Sequence, residues 1–166
     1  MRRYSRSVSM VRIEPVALVD VAQDIKKLLY EHLYKPWGVD PDFDWFSASA
    51  GGEFLVARNK SGVLLGTVRI MPTDDNSPGH PIPEECANER RLRQVLVDPA
   101  MRGRGIGLQL MQAAEARVVE LGADRVGLAS RYQAYDFYQR CGYRFYGEEY
   151  ISRLTHIPHR HMSKEL

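Results

Sequence analysis

The residues best suited to chemistry stand in one short run, "RGRGIG", Arg102 to Gly107, inside the longer stretch "QVLVDPAMRGRGIGLQL". The Val and Leu before it read as a strand and the residues after it as a helix, so the glycines fall where a strand turns into a helix N-terminus. The first N–H groups of a helix have no partner within it, and the helix dipole ends there with positive sign, so a phosphate oxygen can be held by backbone alone. Gly103, Gly105 and Gly107 permit backbone angles closed to other residues and carry no Cβ to keep a diphosphate away. Arg102 and Arg104 add charge. The same glycines can also make a plain tight turn flanked by solvated arginines. The spacing fits neither a Walker A loop, since no Gly-Lys-Ser/Thr follows, nor the G-x-G-x-x-G dinucleotide fingerprint.

Two further groups carry reactive side chains. His156, His159 and His161 lie within six residues and could bind zinc weakly, yet no acidic or cysteine ligand is spaced with them in sequence, so no metal site is expected. Cys141 adjoins Gly142, but no histidine is fixed beside it in sequence, and packing is the simpler role.

The elements that must position these residues follow from composition and pattern. The chain has 166 residues, 44% apolar and 27% charged, which suits one domain over 1–166 with a sizeable core. Its 23 basic and 21 acidic side chains leave a formal charge of +2, which gives no footprint for nucleic acid. Cys86 and Cys141 form no Cys-x-x-Cys pair, no apolar leader opens the sequence and no long apolar run exists, so a cytoplasmic protein without membrane association is expected.

The stretch "SVSMVRIEPV" reads as a first strand closing near Pro15, and "VDVAQDIKKLLYEHLY" as a helix. A short helix is expected near 42–48, strands at 53–58 and 63–71, and a long loop over 73–89. Then come the strand "RLRQVLVD", a helix over about 105–121 capped by Gly122, a strand at 125–129, a helix near 133–141 and a last strand near 143–152.

This order and these motifs resemble the GNAT superfamily of N-acetyltransferases. Its acyl-CoA signature, Arg/Gln-x-x-Gly-x-Gly/Ala, is similar to "RGRGIG", and a second family pattern is matched by "AYDFYQRCGY", residues 134–143. The tail "GEEYISRLTHIPHRHM" resembles the ElaA-like branch, whose substrate is poorly defined. The resemblance implies an α/β (α+β) fold with a mixed, mostly antiparallel central sheet, helices on both faces and a splayed central strand pair. It implies acetyl-CoA as acyl donor, with coenzyme A as product.

By the same resemblance Val95, Leu96 and Val97 contact the pantetheine arm, and a backbone N–H near Leu96 polarises the thioester carbonyl. The diphosphate rests on the N–H groups of Arg102, Gly103, Arg104, Gly105, Ile106, Gly107 and Leu108. Tyr138 aligns with the tyrosine that binds the coenzyme sulfur and protonates the leaving thiolate; a phenol with an ordinary pKa near 10 suits that task. Where many relatives carry a glutamate as general base, this chain has Gln94, which cannot take a proton. Glu89, Glu148, Glu149 and His159 remain as alternatives, Glu89 being the nearest to the strand. Arg131 replaces an asparagine of several relatives and is open between an adenosine-phosphate contact and surface charge.

The acceptor pocket is expected between the first helix, the 36–48 segment, the 73–89 loop and the tail. Trp37, Phe43, Trp45 and Phe46 would line it or fill the core, and Asp40, Asp42 and Asp44 would attract an amine or lie solvated. The expected activity is acetyl transfer to a primary amine, most simply a small molecule, by direct transfer in a ternary complex of a monomer or homodimer. A non-catalytic acyl-CoA sensor and a protein interaction module are the alternatives.

Overall fold

The computed structural model describes residues 11–73, 75 and 79–166. In chain order it contains β1 (Arg12–Ala17), α1 (Gln23–Leu29), β2 (Glu53–Arg58), β3 (Leu64–Ile70), β4 (Arg90–Val97), α2 (Ile106–Glu120), β5 (Arg125–Arg131), α3 (Tyr135–Arg140), β6 (Arg144–Ile151) and β7 (Pro158–Glu165). The seven strands form one sheet in the order β1-β2-β3-β4-β5-β7-β6. Every neighbouring pair is antiparallel except β4 and β5. The fold is therefore the mixed, mostly antiparallel α/β class that the motifs imply.

Alternation along the strands fills both faces. Leu55, Ala57, Leu65 and Leu92 pack with Leu110, Met111, Ala114 and Val118 of α2. Phe54, Val56, Leu64 and Leu96 point the other way and pack with Ile25 and Leu29 of α1. A period of two in the strands meets a period near four in the helices, and each face acquires its own apolar layer.

Several expectations change. The first strand passes through Pro15 to Ala17; as an edge strand it leaves one side unpaired, where a missing N–H costs nothing. Residues 7–10 of that expected strand lie outside the described residues. No helix forms over 42–48. Asp40 Oδ1 accepts from the Asp42 N–H at 2.8 Å and Asp44 Oδ1 from the Ser47 N–H at 3.0 Å, so these side chains shape turns, with only a 3-10 turn following at Ala48–Ala50. The 133–141 helix is reduced to α3, entered through a 3-10 turn at Tyr132–Ala134.

The largest addition is β7. It was not expected as a strand, and it inserts between β5 and β6, with Met162 facing Leu128 and His159 facing Arg131. Helix α1 also does not run on regularly. It continues as a π turn over Tyr30–Tyr34 and a 3-10 turn over Lys35–Trp37, which turns Tyr34 into the molecule.

Candidate acyl-transfer site

The site begins with a break in the sheet. The parallel ladder between β4 and β5 holds only Arg90 to Val126 and Arg91 to Gly127, and beyond it the two strands carry no pairing. On its other side β4 pairs with β3 through Arg93 and Arg69, then resumes at Leu96 and Thr67. The extra residue lies at Gln94, whose φ of 50° is in the left-handed region. A bulge bends its strand, which here draws β4 from β5. Three hydrogen bonds fix it: Thr67 Oγ1 donates to the Gln94 carbonyl at 2.9 Å, Arg69 Nη1 to Gln94 Oε1 at 3.2 Å, and Gln94 Nε2 to the Tyr34 hydroxyl at 3.1 Å. Arg69 is itself buried, held by the carbonyls of Phe46, Ser47 and Gly51; burial lowers its pKa to about 10.

The bulge also reverses side-chain direction. Before it Arg93 shares the α1 face with Arg69, while after it Leu96 takes that face and Val95 and Val97 pack toward α2. Val97 then reaches the glycine-rich turn. A Cβ on Gly107 would stand 3.0 Å from the Phe137 ring and 3.4 Å from Val97, so this glycine is needed for packing. Gly103 and Gly105 differ: both have φ near 80° and open space where a Cβ would stand. They set the chain direction into α2, with Gly105 as N-cap and Arg102 to Gly105 exposed. Ile106 turns its side chain into the core and Leu108 turns its own outward, so neither side chain faces the turn's rim as a polar contact.

Phe137 stacks edge-on against Tyr138, which lies between it and Tyr143. Burial pushes the Tyr138 phenol above its usual range, with Cys141 adding to the rise and Arg131 opposing it. Among the described residues its hydroxyl has no hydrogen-bond partner, although it is not sealed from solvent. Val97, Gly107, Phe137 and Tyr138 are therefore contiguous at the open end of the β4/β5 cleft.

Glu89 is not among them. It precedes β4 at the closed end, seven residues and about 20 Å of extended chain from Leu96. Its carboxylate is buried with Oε1 at 2.6 Å from His161 Nε2. Cys86 joins this pair, with the three donor atoms within 4.8 Å of one another, and Arg125 Nη2 donates to the Cys86 thiol. The set has the chemistry of a zinc cage, but the Glu89 and His161 atoms are already in contact, closer than two ligands of one ion stand. Sequence spacing missed the cluster because its parts come from β7 and from the turn before β4. Of the other proton acceptors, Glu148 and Glu149 are exposed, Glu149 accepting from the Tyr135 hydroxyl at 3.0 Å. Cys141 is half-buried and its carbonyl accepts from Lys164 Nζ.

His159 lies elsewhere, beside the cleft. It faces Arg131 across β5 and β7 and Tyr150 across β6 and β7. Its Nδ1 bonds the Ile157 carbonyl at 3.0 Å, so Nδ1 carries the proton and Nε2 presents a lone pair. Burial lowers its pKa, with Arg131 acting in the same direction against the Ile157 bond. His80 completes the group, with Nδ1 at 2.7 Å from the Tyr150 hydroxyl and its ring 5.2 Å from that of His159. Neither His80 nor Tyr150 was singled out by sequence pattern. Arg131 is not surface charge: it is largely buried and donates to the Leu33 carbonyl at the π turn. Trp45 and Phe46 belong to the α1 core, while Phe43 is exposed.

The pKa of His80 is lowered to about 3 by burial, then by His159, Arg91, Arg93 and Arg131. The unfolded chain protonates this imidazole near pH 6.5 and the folded chain only near 3, so between these values the unfolded state binds more protons and stability falls with pH. Urea unfolding from pH 7 to 4 is expected to show this loss, and His80→Gln to flatten the slope by up to about 1.4 kcal/mol per pH unit. An unchanged slope would place the acid sensitivity elsewhere.

The architecture and its motifs agree with known proteins. A Bacillus subtilis (strain 168) protein described as an acetyltransferase is 28% identical over 127 residues, covering 76% of each chain. In fold, the crystal structure of Escherichia coli ElaA superposes with a TM-score of 0.70 at 19% identity, over 94% of this chain and 100% of that one. A GNAT acetyltransferase from Elizabethkingia anophelis, solved with acetyl-CoA bound, gives 0.65 at 15% identity over 95% and 99%. The model of the acetyltransferase (GNAT) family matches residues 22–143, which include the bulged strand, the glycine-rich turn and Tyr138. With most of its length covered by that model, the chain belongs to the GNAT family, whose fold is that of acetyl-CoA-dependent acyltransferases.

Proposed function

We propose that this protein transfers an acetyl group from acetyl-CoA to a primary amine, directly, with both substrates bound together. The observation that carries the reading is the continuous run from the Gln94 bulge through Val97 to Gly103, Gly105 and the N-terminus of the 15-residue helix α2, with the unpartnered Tyr138 hydroxyl beside it. These residues suit acetyl-CoA: an unpaired strand edge for the amides of a pantetheine arm, and free N–H groups for a diphosphate. The thioester supplies the acetyl group.

The chain's residues then manage protons. An ammonium acceptor loses one proton to solvent on binding. As its nitrogen bonds to the acetyl carbon, His159 Nε2 takes the second proton from that nitrogen. The carbon–sulfur bond breaks, and Tyr138 gives its hydroxyl proton to the departing sulfur. The phenolate regains a proton and His159 releases one through solvent, so the products are the amide, coenzyme A as thiol and one net proton. His159 is the base in this reading because, of the four alternatives, it alone is buried beside Arg131 with an open lone pair. Cys86 lies at the closed end of the cleft and is fully buried, which favours direct transfer over an acyl-cysteine.

Calorimetric titration with acetyl-CoA and with coenzyme A tests the reading. Micromolar binding is expected, weakened at least tenfold by Gly105→Glu, which adds charge and forces a side chain onto a φ of 78°. Failure of the folded protein to bind at millimolar coenzyme would overturn it.

A further inference from the structure

The acceptor side of the cleft is unusually cationic for a site that takes an ammonium. His80 lies within the electrostatic reach of Arg91, Arg93 and Arg131 together, so three guanidiniums converge on one imidazole. Their partners differ. Arg91 Nε stands 3.9 Å from Asp75, and Nη1 donates to the His80 carbonyl. Arg131 is satisfied only through the Leu33 carbonyl, and Arg93, half-buried, has no hydrogen bond or ion pair among the described residues. Neither has a carboxylate partner among those residues.

Their placement is set by the sheet. Arg91 faces Gly127, and beyond that pair β4 and β5 part, so Arg93 and Arg131 stand on opposite walls of the cleft between the two strands. Arg93 shares the face of Arg69, and Arg131 reaches Leu33 beside α1, so both occupy the face that carries His159. Burying cations without anions is unfavourable unless something supplies the charge. The glycine-rich turn leads into α2, which packs on the opposite face of the sheet.

We propose that the acceptor is an amine bearing a carboxylate, an α-amino acid or a close analogue, whose carboxylate pairs with Arg93 and Arg131 while its amine faces His159. The proposal rests on the acetyl-transfer reading above and names the acceptor class for the same site. A planar carboxylate matches two guanidinium forks and fixes the amine relative to the thioester. The aspartates at 40, 42 and 44, by contrast, shape an exposed turn and leave the acceptor's charge to the arginines.

The test has two readouts on the intact protein. Single amino acids and their carboxamides are titrated by calorimetry into protein saturated with coenzyme A, and the same pairs are assayed for thiol release from acetyl-CoA. At least one free acid is expected to bind about tenfold to hundredfold more tightly than its amide, with Arg93→Gln removing that preference and leaving coenzyme affinity unchanged. Equal binding of acids and amides, or an equal effect of Arg93→Gln on both, overturns the proposal. Acid-selective binding without thiol release from any pair would sustain the carboxylate subsite and overturn the acetyl-transfer reading instead.

Discussion

Replacing His159 with asparagine is expected to lower kcat about 10²- to 10³-fold and to leave the affinity for acetyl-CoA unchanged. Asparagine can keep the hydrogen bond to the Ile157 carbonyl that His159 Nδ1 makes at 3.0 Å, so the β6/β7 pairing survives and only the open lone pair is lost. The pH profile separates a catalytic role from a structural one. Burial holds the folded pKa of His159 below its ordinary 6.5, so the base form prevails at neutral pH, and the acid limb due to it lies below 6.5. The wild-type profile of kcat should show that limb and the variant should lack it. A variant that loses activity through misfolding would instead weaken coenzyme binding and shift its unfolding midpoint. A fully active His159→Asn enzyme would return the proton to water or to another group.

The second large effect is one of stability. At Gly127 a Cβ would stand 1.8 Å from Glu89 Oε1 and 1.9 Å from its carboxyl carbon, far inside van der Waals contact. Gly127→Ala must therefore displace a buried carboxylate from its place against His161. Breaking a buried pair of that kind costs about 3–5 kcal/mol. In a protein of this size the unfolding midpoint should fall on the order of 10 °C. Adding Glu89→Ala removes the clash, so the double variant is expected to lose less than the sum of the two single ones. Strict additivity would mean that the alanine methyl and the carboxylate do not meet. The pair also lies where β4 and β5 still touch, so its loss should loosen the hinge of the cleft before the cleft itself.

Much of the architecture was legible in the sequence, and the exceptions have physical causes. The apolar runs in "EFLVAR" and "LLGTVRI" mark two strands because both faces of each are buried, and Gly103 and Gly105 are legible because a positive φ favours glycine. Strand β7 was not legible. "PHRHMSKE" has one apolar residue, Met162, in the layer against α2, and its other inward positions are His159, His161 and Ser163, which bury polar groups against polar partners. A period-two apolar pattern cannot reveal a strand of that kind. The arginine and histidine group was hidden for a different reason: His80, Arg93, Arg131 and His159 come from a loop and three strands, and only the sheet order brings them together. The short helix expected near 42–48 failed because the aspartate side chains there bond nearby backbone N–H groups in turns.

The bulge at Gln94 divides one strand into two independent inheritances. Positions before it, Arg91 and Arg93, address the face that carries His159, and positions after it, Val95 and Val97, address the wall toward α2 and the glycine-rich turn. Substitutions on one side of Gln94 leave the other side's register untouched, so the two faces can be altered separately by evolution or by design. A one-residue deletion at the bulge would keep both sets of faces, since Leu96 would still oppose Thr67, and would remove only the bend that opens the cleft.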